Sequence, residues 1–226
     1  MRILLTAATP GEIAPVKEWL NQHKKQFKQL KVSIHITGIG SNATTYSLTK
    51  ELVKQRYSLV IQAGIAGSFT PDQLEKVFVI KQDVFADLGV WEESSFKDMF
   101  DLALLKPNEK PFKKGRLNNP HKNLLQLTKL KAVNAVTVNE ISTRPKQIEW
   151  YKEHFAPMLE SMEGAALHYV CLMENIPFLQ IRSISNQVGV RNKKKWKIGP
   201  AIHNLNTELI GLLQTLSTKN ETDIRL

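Results

Sequence analysis

Short apolar runs alternate with amphipathic, helix-like segments through the first third of this chain and again through its last third, and few architectures accommodate that order. Arg2 to Ala7 reads as a buried strand, and Glu12 to Lys25 as an amphipathic helix with Ile13, Val16 and Leu20 inward. Val32 to Thr37 is a second strand, Asn42 to Gln55 a second helix, Ser58 to Gln62 a third strand and Val77 to Val84 a fourth. Later come a strand at Lys131 to Thr137, a helix at Pro145 to His154 and a short strand at Met158 to Ser161. A helix at Met162 to Glu174, a strand at Phe178 to Ser183 and a helix from about Pro200 to Leu216 complete the pattern. The alternation predicts an α/β fold: a three-layer αβα sandwich around a central mixed, largely parallel sheet.

Residues 85–130 break the rhythm, with Pro107, Pro111 and Pro120, many lysines and little periodicity. They read as an irregular excursion from a single domain spanning residues 1–226, and such segments are often lids or binding loops. Hydrophobic content of 42% and charged content of 23% are ordinary for a soluble globular protein. No run of about 18 apolar residues is present, so no transmembrane helix and no membrane partner are expected. The apolar run after Met1 is too short for a signal peptide. A single cysteine, Cys171, excludes an internal disulfide framework and sits on the apolar side of a helix pattern, as a buried, inert thiol would. The cytoplasm is the expected compartment, and the last eight residues are expected to fray.

The formal charge of +10 is concentrated at Lys24-Lys25-Gln26-Phe27-Lys28, at Lys110 to Arg116 and at Arg191 to Lys197. Solvated faces explain this most simply; a nucleic-acid-binding module would look similar, because phosphate neutralisation drives non-specific affinity. A third explanation is steering of an anionic small substrate, which suits the 191–197 cluster because it follows directly on Asn186. The favoured partner is a small molecule, with no nucleic acid.

Gly38-Ile39-Gly40 and Gly64-Ile65-Ala66-Gly67 both read as strand-to-turn junctions, where glycine lets backbone N–H groups approach a ligand. Neither matches a dinucleotide or phosphate-loop fingerprint, so no cofactor is expected. Glu12 follows Pro10-Gly11 at the mouth of the first strand, and Glu163 opens a later helix. Each carboxylate could simply stabilise a helix dipole. Two carboxylates at neighbouring strand ends are also a plausible general base and sugar-binding pair. The six histidines show no metal spacing, His168 included, and no metal is expected.

The segments Met1 to Glu12, Thr37-Gly38-Ile39-Gly40, Gly64 to Phe69, Met162-Glu163 and Arg182-Ser183-Ile184-Ser185-Asn186 together resemble the nucleoside phosphorylase and nucleoside hydrolase family. Within it, Asp83-Val84-Phe85-Ala86-Asp87-Leu88-Gly89 and Ile184 to Arg191, with Trp196 following, are most similar to the futalosine hydrolases. The resemblance implies hydrolysis of an N-glycosidic bond in menaquinone biosynthesis, by an enzyme that assembles as a homo-oligomer. It implies that Glu12 activates water with help from Arg182, that Met162 and Glu163 bind the ribose, and that Asn186 faces the departing purine. Family phosphorylases carry an arginine where this chain has Gln62-Ala63, which favours water over phosphate as nucleophile.

A carboxamide at residue 186 has two donor hydrogens and one acceptor, so it can donate to purine N7 and to a 6-oxo oxygen together. The adenine-cutting nucleosidases of methylthioadenosine and S-adenosylhomocysteine, the alternative reading, usually have Asp there. Futalosine, a hypoxanthine nucleoside, ends in a benzoate. Gly67, Phe69, Phe85 and the Ile141-Ser142-Thr143-Arg144 segment are candidates to line the binding site, and Arg144 and Arg191 to meet the carboxylate.

Overall fold

A computed structural model describes residues 1–23, 30–92 and 95–219. The basic cluster at 24–28, the predicted end of the first helix at Lys25 and most of the predicted frayed tail lie outside the described residues.

Among the described residues, ten strands and six α-helices follow one another. The strands are β1 (Arg2–Ala7), β2 (Lys31–Ile36), β3 (Leu59–Ser68), β4 (Val77–Asp83), β5 (Gly89–Glu92), β6 (Ser95–Asp98), β7 (Leu117–Asn118), β8 (Lys131–Thr137), β9 (Leu159–Ser161) and β10 (Phe178–Gln187). The helices are α1 (Ala14–Gln22), α2 (Ser41–Lys54), α3 (Lys122–Leu127), α4 (Pro145–Phe155), α5 (Gly164–Glu174) and α6 (Ile198–Ser217). Proline stands in the first turn of α1 and of α4, where its missing N–H costs nothing. Helix α5 ends on Asn175 in the left-handed conformation (φ 53°), and Pro177 prevents its continuation.

Alternate residues of the central strands enter opposite cores, which makes the layers. Ile3 and Leu5, Leu59 and Ile61, and Leu179 and Ile181 face one apolar core with Val16 of α1 and Leu205, Leu209 and Leu213 of α6. Leu4, Val60 and Phe178 face the other, with Leu48 and Leu52 of α2 and Leu167, Val170 and Cys171 of α5. Each such fully buried side chain stabilises the fold by about 1.5–3 kcal/mol.

The sheet is mixed. β1 pairs in parallel with β2 and β3, β3 with β10, and β8 with β4 and β9. β10–β4, β3–β9 and β4–β7 are antiparallel. The pairings β3–β10–β4–β8–β9–β3 close a circuit, so this half of the sheet curls into a small barrel. Its interior holds Ala66, Phe78, Ile80, Val133, Ala135, Leu159 and Ile184, at least one from each of the five strands.

Three expectations need correction. Residues 85–130 are not irregular throughout: β5 and β6 form a hairpin, β7 joins β4, and Leu124 and Leu125 of α3 lie in a main core. β3 does not stop at Gln62 but runs through Gly64 and Gly67, because β10 pairs with it as far as Ser68. β10 correspondingly runs past Ser183, with Asn186 inside it at a register shift.

Beneath the start of α5 lies a buried polar knot. Asp83 Oδ1 accepts from the Val84 N–H (2.8 Å) and the Thr137 hydroxyl (2.9 Å), and Thr137 Oγ1 accepts from the Ala165 N–H (2.7 Å). Gly164 is crowded by the Gln180 amide and the Asp83 carboxylate, leaving no room for a Cβ. Burial pushes Asp83 up from 3.8 to about 6 against these hydrogen bonds, and holds His168, whose Nδ1 lies 2.9 Å from the Leu117 carbonyl, down to about 4. A raised carboxyl favours the fold while protonated, so Asp83 withdraws stability as pH climbs from about 4 to about 6, by roughly 3 kcal/mol in all. Asp83→Asn keeps an acceptor for Val84 and Thr137 without that penalty. Denaturant titrations should show this variant gaining on the parent between about pH 4.5 and about pH 7.5. His168 is present in both proteins and largely cancels. A constant difference across that range would refute the assignment.

Candidate active site

Strands β3, β9 and β10, with the segments that follow β1, β2, β8, β9 and β10, build one cleft of about 440 Å³, lined by Glu12, Gly67, Ile141, Met162, Glu163 and Asn186 among others. All six were singled out from the sequence.

Glu12 sits in a short 3-10 turn (Pro10–Glu12), before α1 begins at Ala14, so it is not in the first turn of that helix as its position suggested. Its Oε2 accepts from the Thr9 N–H (2.9 Å) and hydroxyl (3.1 Å), and its Oε1 from the Ile65 N–H (3.1 Å). Its carbonyl accepts from Asn206 Nδ2 of α6 at 2.8 Å, and Asn206 Oδ1 accepts from the Val16 N–H at 3.0 Å. A carboxylate offers about four acceptor positions. Oε1, holding one donor, keeps a lone pair for a water in the cleft.

Glu163 caps α5 from the opposite wall. Its Oε1 accepts from the Gly40 N–H at 3.1 Å and its Oε2 lies 3.3 Å from Arg182 Nη1. The neighbouring Met162 carbonyl accepts from the Ser41 hydroxyl at 3.2 Å, so the start of α2 braces the Met162-Glu163 turn. Gly40 makes this approach possible with φ 90°, a conformation L side chains avoid.

Arg182 is 1% exposed and lies behind the cleft wall rather than in it. Its Nη2 donates to Gln62 Oε1 at 2.8 Å, while Nη1 faces Glu163. A Cβ on Gly64 would collide with Arg182 Nη1 and stand 2.8 Å from Glu12 Oε1. The guanidinium and the Glu12 carboxylate therefore pack over one bare Cα. Arg182 thus hydrogen-bonds Gln62 and forms an ion pair with Glu163, and it is not among the residues that line the cleft, where the water-holding role expected of it would lie.

Asn186 Oδ1 accepts from the Ser185 hydroxyl at 2.9 Å, and its Nδ2 donates to the Gln187 carbonyl at 3.1 Å. One lone pair of the oxygen and one N–H are thus engaged, so the two donors expected to reach N7 and a 6-oxo oxygen together are not both free: one N–H and one acceptor position remain. A Cβ at Gly67 would press on this amide, 3.2 Å from Nδ2.

Three candidates, Phe85, Arg144 and Phe69, lie elsewhere. Phe85 faces a separate small hollow with Leu88, Met99, Phe100, Leu105 and Phe112, because β4 directs the chain away from the cleft. Arg144 is exposed and pairs with Glu140 at 2.8 Å, four residues before it. Phe69 is core, packed with Val84, Val136, Tyr151 and Phe155. Arg191 does line the cleft, its guanidinium 5.2 Å from the centre of the Trp196 ring. Trp196 Nε1 is tied to the Val190 carbonyl at 2.9 Å.

Sequence reading missed Glu160, Gln62 and Asn206. Glu160 lines the cleft, accepts from the Ser142 N–H at 3.2 Å, and is raised above the ordinary carboxylate range by burial. Strand alternation in Leu159-Glu160-Ser161 was the available signal; the other two depend on contacts 120 and 194 residues away. Among the described residues, no group of three or more His, Cys, Asp or Glu side chains is arranged to hold a metal ion.

Known proteins show the same arrangement of elements. The futalosine hydrolase of Helicobacter pylori superposes with a TM-score of 0.78 at 18% identity, covering 95% of this chain and 97% of that one. The 5'-methylthioadenosine/S-adenosyl homocysteine nucleosidase of Campylobacter jejuni superposes at 0.76 and 19%, covering 97% and 100%. Among curated relatives, a futalosine hydrolase of Streptomyces coelicolor is 27% identical over 158 residues, 70% of this chain and 65% of that protein's own length. The model of the phosphorylase superfamily matches residues 2–210. The chain belongs to the phosphorylase superfamily.

Proposed function

We propose that this protein is an N-glycosyl hydrolase that cleaves futalosine, releasing hypoxanthine and dehypoxanthine futalosine in menaquinone biosynthesis. The observation that carries the reading is the pair Glu12 and Glu163 facing one cleft, with the Asn186 amide beside them. Water on Glu12 Oε1 attacks ribose C1′ and gives its proton to the carboxylate. The C1′–N9 bond breaks and the purine leaves with its electron pair, stabilised by donation from Asn186. Glu163 holds the ribose hydroxyls beside the Met162 backbone. Arg182 and the Gly40 N–H fix its carboxylate.

Water rather than phosphate is the nucleophile in this reading. The lining includes a single arginine or lysine, Arg191, and Gln62, standing where a phosphorylase arginine would, is committed to Arg182. Ile39, Ile141, Trp196, Ile198 and Ile202 supply an apolar slot with Arg191 at its edge, matching a benzoate on the far end of the nucleoside. With one N–H given to the Gln187 carbonyl, Asn186 keeps one N–H, which a 6-oxo oxygen accepts and a 6-amino group does not; together with the likeness to futalosine hydrolases this favours futalosine over methylthioadenosine. We place this single-domain enzyme in the cytoplasm as a homo-oligomer. Exposed Tyr46 and Val53, seven residues apart on α2, support the assembly, and no helix among the described residues is long and apolar enough to cross a membrane.

Hypoxanthine should appear from futalosine in phosphate-free buffer, measured by chromatography; strict dependence on phosphate would make the reaction phosphorolysis. Glu12→Gln should lower kcat by about 10²–10⁴-fold. A loss smaller than tenfold removes Glu12 as the base. Asn186→Asp should cost futalosine turnover roughly 5- to 150-fold, the effect of one mispaired buried polar group of about 1–3 kcal/mol. An unchanged preference between futalosine and methylthioadenosine would discard the specificity argument. Gly64→Ala should reduce kcat at least tenfold while circular dichroism stays that of the parent, since the added methyl must displace Arg182 or Glu12. Full activity in that variant would mean the two groups need not share that space.

A further inference from the structure

A second concavity, larger than the catalytic cleft, shares no lining residue with it. It encloses about 950 Å³ between β4, β7, β8, α3 and the 111–116 segment. Lys81, Lys113, Lys114, Arg116 and Lys122 line it, and no Asp or Glu does. Among the described residues none of these five cations has a carboxylate within 4.0 Å. Like charges gathered in a hollow repel one another, and low-dielectric walls focus their field. Elsewhere on this surface Lys54, Lys97, Arg144 and Lys152 are each paired with an acid three to five residues away.

The walls of this trough are built rather than loose. The Gly115 N–H donates to the Pro107 carbonyl (2.8 Å), the Lys114 N–H to Asn108 Oδ1 (2.9 Å), and the Lys113 N–H to the Arg116 carbonyl (2.9 Å). Lys110 Nζ ties the segment to the Met173 carbonyl at 3.2 Å. Arg116 is half-buried, held by the His154 carbonyl at 3.0 Å and lying over the Phe155 ring at 4.6 Å. Burial lowers its pKa, with Asp98 partly opposing. On the floor, Gln82 donates to Asn118 Oδ1 at 2.9 Å, and the buried Asn134 Oδ1 has no hydrogen-bond partner in the protein.

We propose that this trough is a second, non-catalytic binding site for a small ligand carrying two or more phosphate groups. Lysines suit phosphate as point charges, and Arg116 adds a fixed planar donor. A single strand of nucleic acid fits less well, because no aromatic ring lines the trough to stack its bases. A volume of this size is that of a small-molecule site.

Calorimetry with ATP, inorganic tripolyphosphate and a short single-stranded DNA tests this on the full chain at low salt, on the parent, Glu12→Gln and Lys81→Glu/Lys122→Glu. Triphosphate should bind one per chain, weaken steeply between about 0.05 M and about 0.2 M salt, and weaken at least tenfold in the double lysine variant but not in Glu12→Gln. ATP binding more tightly than tripolyphosphate assigns a nucleotide; equal affinity assigns the phosphate chain alone. The milder Lys81→Gln/Lys122→Gln should fall between parent and double Glu variant. The proposal is overturned if neither triphosphate saturates, if the double lysine variants bind like the parent, or if DNA binds more tightly than both triphosphates. Hydrolysis of futalosine by these variants tests the catalytic reading separately.

Discussion

A guanidinium with almost no access to water must find acceptors inside the protein, and the catalytic half of this structure is arranged around that requirement. Arg182 sits at 1% exposure in the middle of β10. Leaving such a charge unpaired costs several kcal/mol, far more than one surface pair returns. Gln62 on β3 and Glu163 at the head of α5 supply the acceptors, and Gly64 supplies the space. Three segments distant in sequence are thereby held in one register. Glu163 is left with its carboxylate oriented by two donors, and Glu12 by three, before any substrate arrives. Groups fixed in advance do not have to be reorganised during the reaction.

The same economy explains the small residues. Glycines 64, 67 and 164 stand where a neighbouring functional or buried polar side chain needs the volume of a Cβ, and only Gly38 and Gly40 in this region are needed for positive φ. Reading Gly64-Ile65-Ala66-Gly67 as a turn followed the commoner use of glycine. The backbone is extended there because β10 continues alongside, hydrogen-bonded to Ser68. Asn186 was likewise placed after a strand that in fact contains it.

Local pattern located β8 at the observed residues and α4 and α5 to within two, since their periodicity and their proline and asparagine boundaries are local properties. The 117–127 segment was lost among prolines and lysines. Its two-residue strand and six-residue helix have too little periodicity to register, and they are stabilised by Leu117, Leu124 and Leu125 packing into a core assembled from elsewhere. The four residues that the resemblance singled out, Glu12, Met162, Glu163 and Asn186, line one cleft. Phe85 and Arg144 were assigned by proximity in sequence, and neither reaches it.

The amino-acid sequence by itself determined the α/β class, the order of strands and helices, and which carboxylates and which amide were available for chemistry. Those follow from periodicity, capping and residue type, all of which act over a few residues. Only the tertiary structure decided that β3 and β10 run on as partners, that five strands close into a barrel, and that Arg182 serves Glu163 instead of the cleft. It also decided that Ser185 and Gln187 hold the Asn186 amide, and that five scattered cations share one hollow. Each of these depends on side chains far apart in the chain competing for the same volume or the same hydrogen-bond partner, and that competition is settled only when the layers pack.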